Sequence, residues 1–236
     1  MYRKARAARR QVIGYPVADS RRVAGRKAIV KLLVILTIVL VLFGAGTAWA
    51  FSDVPPDRLD YSAITWLAVR GAAQGFADGT FRPDSRGVRA EFVKMVTAAM
   101  FLPPGDAGLL PFRDVDPSGV GSPYPGSYIA AAFQNGIVRG KSSTVFDPYG
   151  PLTRAQAMTM AVRTAAKLRA RDFKPLPADY QGRFAGFDDP AHGDNAKLAE
   201  ANHLLKGIDL SGWDPWGTAT RSEAATIVWN LANCFG

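Results

Sequence analysis

Three arginines recur in this sequence with the same neighbours at the same offsets. Arg89, Arg154 and Arg221 each follow a glycine by fourteen residues, an aromatic residue by eight and a proline by six, and each precedes Glu or Gln by two. These companions are Gly75, Gly140 and Gly207; Phe81, Phe146 and Trp213; Pro83, Pro148 and Pro215; and Glu91, Gln156 and Glu223. The pattern needs no gap, so the chain contains three copies of one unit.

The chemistry that these arginines suggest is anion binding. A guanidinium presents a rigid fork of N–H donors that matches a carboxylate or a phosphate. Each arginine stands at the predicted first position of a helix, where the helix dipole makes a cation mildly unfavourable. A bound anion would compensate, with the arginine and free N–H groups of the helix start converging on it. An intramolecular ion pair would do the same, and its candidate partners are Asp53, Asp114, Asp189, Asp147 and Asp214.

The elements that position the arginines are pairs of helices. A first helix is predicted over residues 60–70 and ends at Gly71, and the second copy has Gly136 at the corresponding place. The second helix of each copy is predicted to begin at the arginine. In copy three the first helix is predicted over residues 196–205, with His203 where the other copies have glycine.

Capping residues support these helix starts. Thr153 with Gln156 and Thr220 with Glu223 fit the capping box, in which each side chain bonds the backbone N–H of the other residue. Val88 replaces the threonine in copy one, so that helix start is predicted to be weaker. The repeated aromatics are expected to fill the core, and the prolines to shape the loop before each second helix.

These elements predict an all-α fold of three helix-loop-helix repeats sharing one core, because a two-helix unit cannot bury its apolar faces alone. Each repeat opens with Phe-x-Asp, at Phe51, Phe112 and Phe187. The predicted boundaries are residues 51–105 for repeat 1, 112–170 for repeat 2, 171–183 for an exposed linker and 184–236 for repeat 3.

Residues 1–50 have the layout of an export signal. A basic stretch precedes an apolar run over residues 32–43, and Ala48-Trp49-Ala50 fits a cleavage site. The alternative is an uncleaved anchor helix over residues 29–50, which would leave the bulk of the chain outside the membrane. Ten of the 29 bases and one of the 20 acids lie in this segment, which leaves 19 of each in the remainder. The basic isoelectric point therefore gives no indication of nucleic-acid binding.

No catalytic or metal-binding constellation is recognisable. The two histidines, His192 and His203, both lie in copy three, and Cys234 is the single cysteine. This supplies neither a Cys-His pair nor a zinc set. The sequence predicts a non-enzymatic protein without metal or cofactor.

The repeats resemble the S-layer homology (SLH) family. The resemblance is carried by Phe-x-Asp, the Gly-Ile-Val-Arg-Gly step over residues 136–140, the Phe-x-Pro loop and the Thr-Arg-Ala-Gln helix start over residues 153–156, and it covers residues 51–236. It implies one pseudo-threefold domain that binds a secondary cell-wall polysaccharide non-covalently, often through a pyruvate ketal on an amino sugar. A cell-surface location follows from the same resemblance.

The resemblance also implies a set of ligand-binding residues. They are Arg89, Arg154, Arg221, Gly75, Gly140 and Gly207. Tyr149 and Trp216 share one loop position and are candidates for stacking on sugar rings or for packing. Arg154 is expected to be the strongest anion contact and Arg89 to matter less. The alternative function is a membrane-anchored structural protein whose repeats bind another protein at the cell surface.

Overall fold

The computed structural model describes residues 51–118, 122 and 124–233. The predictions about the leader and Cys234 fall outside these residues. The described part contains α-helices and no strand, which confirms the all-α class. None of its helices is both long and apolar enough to cross a bilayer.

The helices follow the predicted pairs closely. Their bounds are α1 Tyr61–Val69, α2 Arg89–Ala99, α3 Gly126–Gln134, α4 Arg154–Leu168, α5 Gly193–Ala201 and α6 Arg221–Asn233, with a 3₁₀ turn at Ala107–Leu109. All three second helices begin at the repeated arginine, as predicted.

The first helix of copy three, α5, begins and ends earlier than predicted. The side chain of Asp189 accepts hydrogen bonds from the backbone N–H groups of Ala191 and His192, at 2.9 and 2.8 Å, and so fixes the turn from which the helix begins. His203 then adopts a φ of 59°, and the chain leaves the helix before the predicted end. Gly71 and Gly136 end the other two first helices with φ values of 66° and 70°.

The predicted caps are present. Thr153 and Gln156 form a capping box at α4, and Thr220 and Glu223 exchange the corresponding bonds at 2.9 and 3.0 Å at α6. Val88 makes no side-chain cap at α2. The first turn of α2 is therefore held by other contacts.

The packing of the helices is cyclic. Each second helix packs against the first helix of the following repeat, so that α2 contacts α3, α4 contacts α5 and α6 contacts α1. The second helices α2, α4 and α6 also contact one another. One continuous core results, and the aromatic residues Phe81, Phe146 and Trp213 are buried in it as predicted.

A ring of backbone hydrogen bonds joins the segments before the second helices. The N–H of Gly87 donates to the carbonyl of Ala219, the N–H of Ala219 donates to Leu152, and the N–H of Leu152 donates back to Gly87, at 2.8, 2.8 and 3.0 Å. The three residues each lie two positions before a repeated arginine. The ring therefore holds the three helix starts close together.

The opening Phe-x-Asp has the same structural role in copies one and two. Asp53 accepts from the N–H groups of Phe81 and Arg82, and Asp114 accepts from Phe146 and Asp147. The opening turn is thereby tied to the loop before the second helix.

Copy three departs from this arrangement. Phe184, three residues before the Phe187 motif, packs against Trp213 with the ring centroids 6.1 Å apart, as Phe51 packs against Phe81 at 5.2 Å. Phe187 contacts Trp216 instead. The Phe-x-Asp of copy three is thus not the structural equivalent of the other two.

Candidate functional site

The repeated arginines reach from the start of one second helix to the loop of the next repeat. Arg89 donates to the carbonyls of Phe146 and Arg139, at 3.0 and 3.3 Å. Arg221 donates in the same way to Phe81 and Gln74, both at 2.9 Å. Both arginines are nearly inaccessible to solvent, at 4% and 3% exposure. Their first role is therefore to join neighbouring repeats.

Arg154 makes a different contact. Its Nε and Nη2 bind the carboxylate of Glu223 at 3.1 and 2.7 Å, and its guanidinium lies 4.9 Å from the ring centroid of Trp213. Glu223 also accepts from Nε1 of Trp213 at 2.6 Å. The arginine expected to be the strongest ligand contact is thus engaged in an ion pair within the protein.

The N–H groups at the helix starts are also engaged. The first two N–H groups of α2 donate to the carbonyls of Gly150 and Pro148, at 3.2 and 2.8 Å. The starts of α4 and α6 donate to the corresponding loop carbonyls of the next repeat. The first two N–H groups of each second helix therefore hold the repeats together and are not free to converge on an anion.

The five candidate aspartates are not the arginine partners. Asp53, Asp114 and Asp189 accept backbone N–H groups through their carboxylates. Asp147 pairs with Lys141. Only the backbone carbonyl of Asp214 is within reach of Arg154, at 3.5 Å. Among the described residues, the acids that pair with the repeated arginines are Glu223 and Glu91, and Glu91 lies 2.6 Å from Nη1 of Arg221.

Arg89 differs from the other two arginines in lacking a carboxylate partner. The residue at the position of Glu91 and Glu223 is here Gln156, a neutral side chain. Among the described residues, no partner accepts from Nη1 of Arg89, whereas the same nitrogen of Arg221 binds Glu91. Burial lowers the pKa of Arg89, and the charges of Asp147 and Asp114 oppose that effect.

Arg89 and Gln156 line a groove of about 280 Å³ that we call the Arg89 groove. Its cationic residues are Arg89, Arg139, Lys141 and Arg163, and it also contains Gly140, Thr159 and His192. No carboxylate lines it. Burial, and then the nearby charge of Arg139, lower the pKa of Arg163. The groove thus holds mutually repelling cations, of which Lys141 is neutralised by Asp147.

Two other grooves, one lined by Arg221 and one by Gly207, contain acids, and Arg154 lines neither of them. The Arg221 groove, of about 190 Å³, holds Gly75, Lys94 and Tyr124 together with Glu91. The Gly207 groove, of about 300 Å³, is lined by Asp60, Asp209 and Glu223, with Arg58 as its cation. Arg58 is itself bound to Asp60 at 2.9 Å. Of the three, the Arg89 groove has the electrostatic character of an anion site.

The three predicted glycines occupy the grooves but differ in conformation. A Cβ on Gly140 would lie 2.5 Å from the ring of Phe112, and one on Gly75 would lie 2.3 Å from the ring of Phe51. Close packing therefore requires glycine at both. Gly207 has open space around it and a φ of 83°, so its requirement is conformational.

The two candidate stacking residues are both accessible. Tyr149 is 65% exposed, and Trp216 is 50% exposed. The indole of Trp216 lies edge-on to the rings of Phe187 and His192, with the centroids 5.6 Å away in each case. Through His192, Trp216 adjoins the Arg89 groove. Trp216 thus packs against two neighbouring rings and still leaves half of its surface accessible.

Sequence reasoning did not identify several residues of the Arg89 groove. The groove combines Arg139 and Lys141, from the segment after α3, with Arg163 of α4, which lies more than twenty residues further along the chain. These cations come together only through the tertiary fold. The sequence did contain one indication of this groove: Gln156 is neutral, whereas the other two copies have glutamate at the same position. No group of three or more His, Cys, Asp or Glu within the described ranges is arranged to hold a metal ion.

The chain was compared with known protein families and with characterised proteins, and the matches agree with one another. The S-layer homology domain model matches residues 50–92 and 111–158. The chain is 26% identical to an endoglucanase of Bacillus sp. (strain KSM-635) over 88% of this chain and 23% of the relative. It is 26% identical to an S-layer protein of Bacillus thuringiensis subsp. finitimus, over 81% and 22%, and 27% identical to S-layer protein EA1 of Bacillus anthracis, over 78% and 20%. The chain thus spans less than a quarter of the length of these relatives.

Proposed function

Because this chain belongs to the S-layer homology domain family, we propose that residues 51–236 attach it non-covalently to the cell surface by binding an anionic wall polysaccharide. The observation that carries the proposal is Nη1 of Arg89, which has no carboxylate partner in a groove with three further cations. A carboxylate on the ligand completes this arrangement. The pyruvate ketal of a secondary cell-wall polysaccharide carries such a group.

The charges of the three grooves favour the Arg89 groove as the anion-binding one. In the Arg221 groove Glu91 already pairs with the arginine and would repel a second carboxylate. The Gly207 groove is lined by Glu223, which pairs with Arg154, and by two aspartates, so it would repel a carboxylate as well. In the Arg89 groove the carboxamide of Gln156 adds a neutral donor beside the guanidinium. A charge-assisted hydrogen bond contributes about 1.5–3 kcal/mol, so even one such contact gives the groove a strong preference for an anion.

Trp216 offers an aromatic surface that could contact the sugar rings next to the ligand's carboxylate. Trp216 adjoins the Arg89 groove through His192 and leaves half of its surface accessible. Aromatic faces are common platforms for apolar ligand surfaces. Trp216 is therefore our candidate for a sugar contact, and Tyr149 remains a weaker one because no contact links it to this groove.

We infer that the three repeats form one pseudo-threefold domain with the predicted boundaries. The cyclic helix pairs, and the hydrogen-bond ring of Gly87, Leu152 and Ala219, support this arrangement. The role is non-enzymatic: the match to the endoglucanase spans 23% of that protein. The similarity is therefore limited to one part of the endoglucanase, and it gives no reason to assign catalytic activity to this chain.

The proposal predicts that Gln156→Glu weakens wall binding. The new carboxylate would pair with Arg89 as Glu91 pairs with Arg221, and would exclude the ligand's carboxylate. Binding of the full-length chain to purified wall sacculi should fall at least tenfold, since one charge-assisted hydrogen bond contributes about 1.5–3 kcal/mol. Thermal stability should be retained, because the change reproduces the arrangement of the other repeats.

Gln181→Glu provides the matched control, because it makes the same chemical change at an exposed linker residue. Undiminished binding by Gln156→Glu would show that the Arg89 groove is not the site. Sacculi from which the polysaccharide has been extracted should bind neither protein. Equal binding to extracted sacculi would instead favour a protein partner at the cell surface.

A further inference from the structure

His192 lies in the wall of the Arg89 groove, at the start of α5. Its side chain is partly buried, and Nδ1 lies 2.7 Å from Oγ1 of Thr159 on α4. Its ring packs edge-on against Trp216 from the loop before α6. The imidazole is thus held between three elements and borders the space in which we place the anion.

The charged groups around His192 are mostly cations. Arg89 comes from α2, Arg163 from α4, and Arg139 and Lys141 from the segment after α3. Asp189, in its own segment, supplies the one negative charge that acts directly on the ring. Trp216 and Thr159 bring no charge. The surroundings therefore disfavour an imidazolium as long as the groove holds no anion.

The electrostatic surroundings of the ring act in the same direction. Burial lowers the pKa of His192, the charge of Asp189 opposes that effect, and the charges of Arg163 and Arg89 lower the pKa further. The ring of the free protein is therefore neutral at neutral pH. An anion bound in the groove raises the pKa of His192, because it adds a negative charge next to the ring and offsets the positive charges of the two arginines.

We propose that His192 is a proton-linked contact of the Arg89 groove, neutral when the groove is empty and protonated when an anion is bound. This inference rests on the proposed function of the groove. The proton comes from solvent, and both ring nitrogens then carry hydrogens. Nδ1–H donates to Thr159, and the added positive charge strengthens the attraction for the anion.

The linkage fixes the direction of the pH dependence. Because binding takes up a proton, affinity rises as pH falls through the His192 pKa of the complex, and levels off below the pKa of the free protein. Each unit by which the anion raises this pKa makes binding about tenfold tighter at low pH. The attachment is thus strengthened by mild acidity, and weakens as the surroundings become alkaline.

The experiment measures binding of a pyruvylated amino sugar to the full-length chain by calorimetry between about pH 5 and pH 8. The amino group of this probe is acetylated, so its one ionisable group is the carboxylate, which stays ionised throughout, and a change in affinity reports the protein. We expect about tenfold tighter binding at the acid end and, in buffers of different ionisation enthalpy, proton uptake on binding. His192→Gln should remove both effects and keep the affinity of the alkaline end.

His203→Gln is the matched control, because His203 lies beside Trp229 and Asn230 in a different cavity, and it should leave the pH dependence intact. Binding that is strong but independent of pH in the unaltered chain would overturn the inference and leave the proposed function standing. Absence of binding at every pH would overturn the proposed function itself. If His192→Gln fails to fold, the NMR titration of the His192 ring with and without probe decides, and an unchanged pKa refutes the inference.

Discussion

For single residues, the main finding is that the repeated arginine connects neighbouring repeats, and that in one copy a guanidinium nitrogen has no carboxylate partner among the described residues. Arg221 has a carbonyl or a carboxylate at each of its three guanidinium nitrogens. Arg154 is likewise satisfied, by Glu223 and the carbonyl of Asp214. In the Arg89 groove a single difference, Gln156 in place of glutamate, leaves one nitrogen without a carboxylate. A neutral residue thus determines which groove is cationic.

Arg154→Ala should destabilise the fold. It would leave the carboxylate of Glu223, whose side chain is 13% exposed, without its cationic partner. We expect the free energy of unfolding to fall by about 2–4 kcal/mol, because removing one partner of a largely buried pair leaves an uncompensated charge. Chemical denaturation measures the change.

Arg163→Ala is the control for that experiment, since it removes an arginine from the same helix. Among the described residues no ion pair or hydrogen bond engages the Arg163 side chain, and Arg139 repels it. The free energy of unfolding of the Arg163→Ala variant should be unchanged within about 0.5 kcal/mol, while its binding to the wall should weaken. Equal losses of stability in both variants would contradict the distinction between connector and ligand contact.

At the scale of elements, each helix pair depends on a left-handed residue after its first helix. Gly71 and Gly136 supply it without strain, and His203 supplies it in copy three with a φ of 59°. This position was recognisable from sequence through the two glycines. The start of α5 was not, because Asp189 forms a turn at the helix start, whereas Asp53 and Asp114 bind the loop before the second helix.

Gly136→Ala should lower the free energy of unfolding by about 1 kcal/mol. A Cβ there meets nothing within 4 Å, so the cost comes from the backbone conformation alone. Gly186→Ala is the control, as its surroundings are equally open and its φ is not in the left-handed region. Equal thermal midpoints for the two variants would show that the left-handed conformation is not what requires glycine.

At the scale of the whole molecule, the repeats complete one another. Helix α6 packs against α1, and the hydroxyl of Ser222 in copy three donates to Asp60 in copy one. The Arg89 groove itself is built from all three copies, since Arg89, Gln156 and His192 belong to copies one, two and three. Neither the core nor the groove is complete in a shorter chain.

Deletion of residues 184–236 should therefore abolish cooperative unfolding of the remainder. Without copy three, α1 loses α6 and α4 loses α5, which exposes apolar faces that neighbouring repeats must share. Thermal unfolding followed by circular dichroism should show one sharp transition for the full chain and a broad, non-cooperative one for the deletion. A sharp transition at the original temperature would mean that the copies fold independently.

The repeat, the all-α class, the starts of the second helices and the caps were all predictable from the amino-acid sequence. These features depend on local signals, namely a threonine and glutamate or glutamine at a fixed spacing, a glycine after a helix, and the apolar periodicity. What each arginine binds was not predictable in this way, because it depends on contacts between residues that are far apart in the chain. Arg154 and Glu223 are 69 residues apart in sequence, and Arg89 meets Arg163 and His192 through packing between repeats. Which groove carries unpaired charge therefore depends on how the copies close on one another, which no single copy encodes.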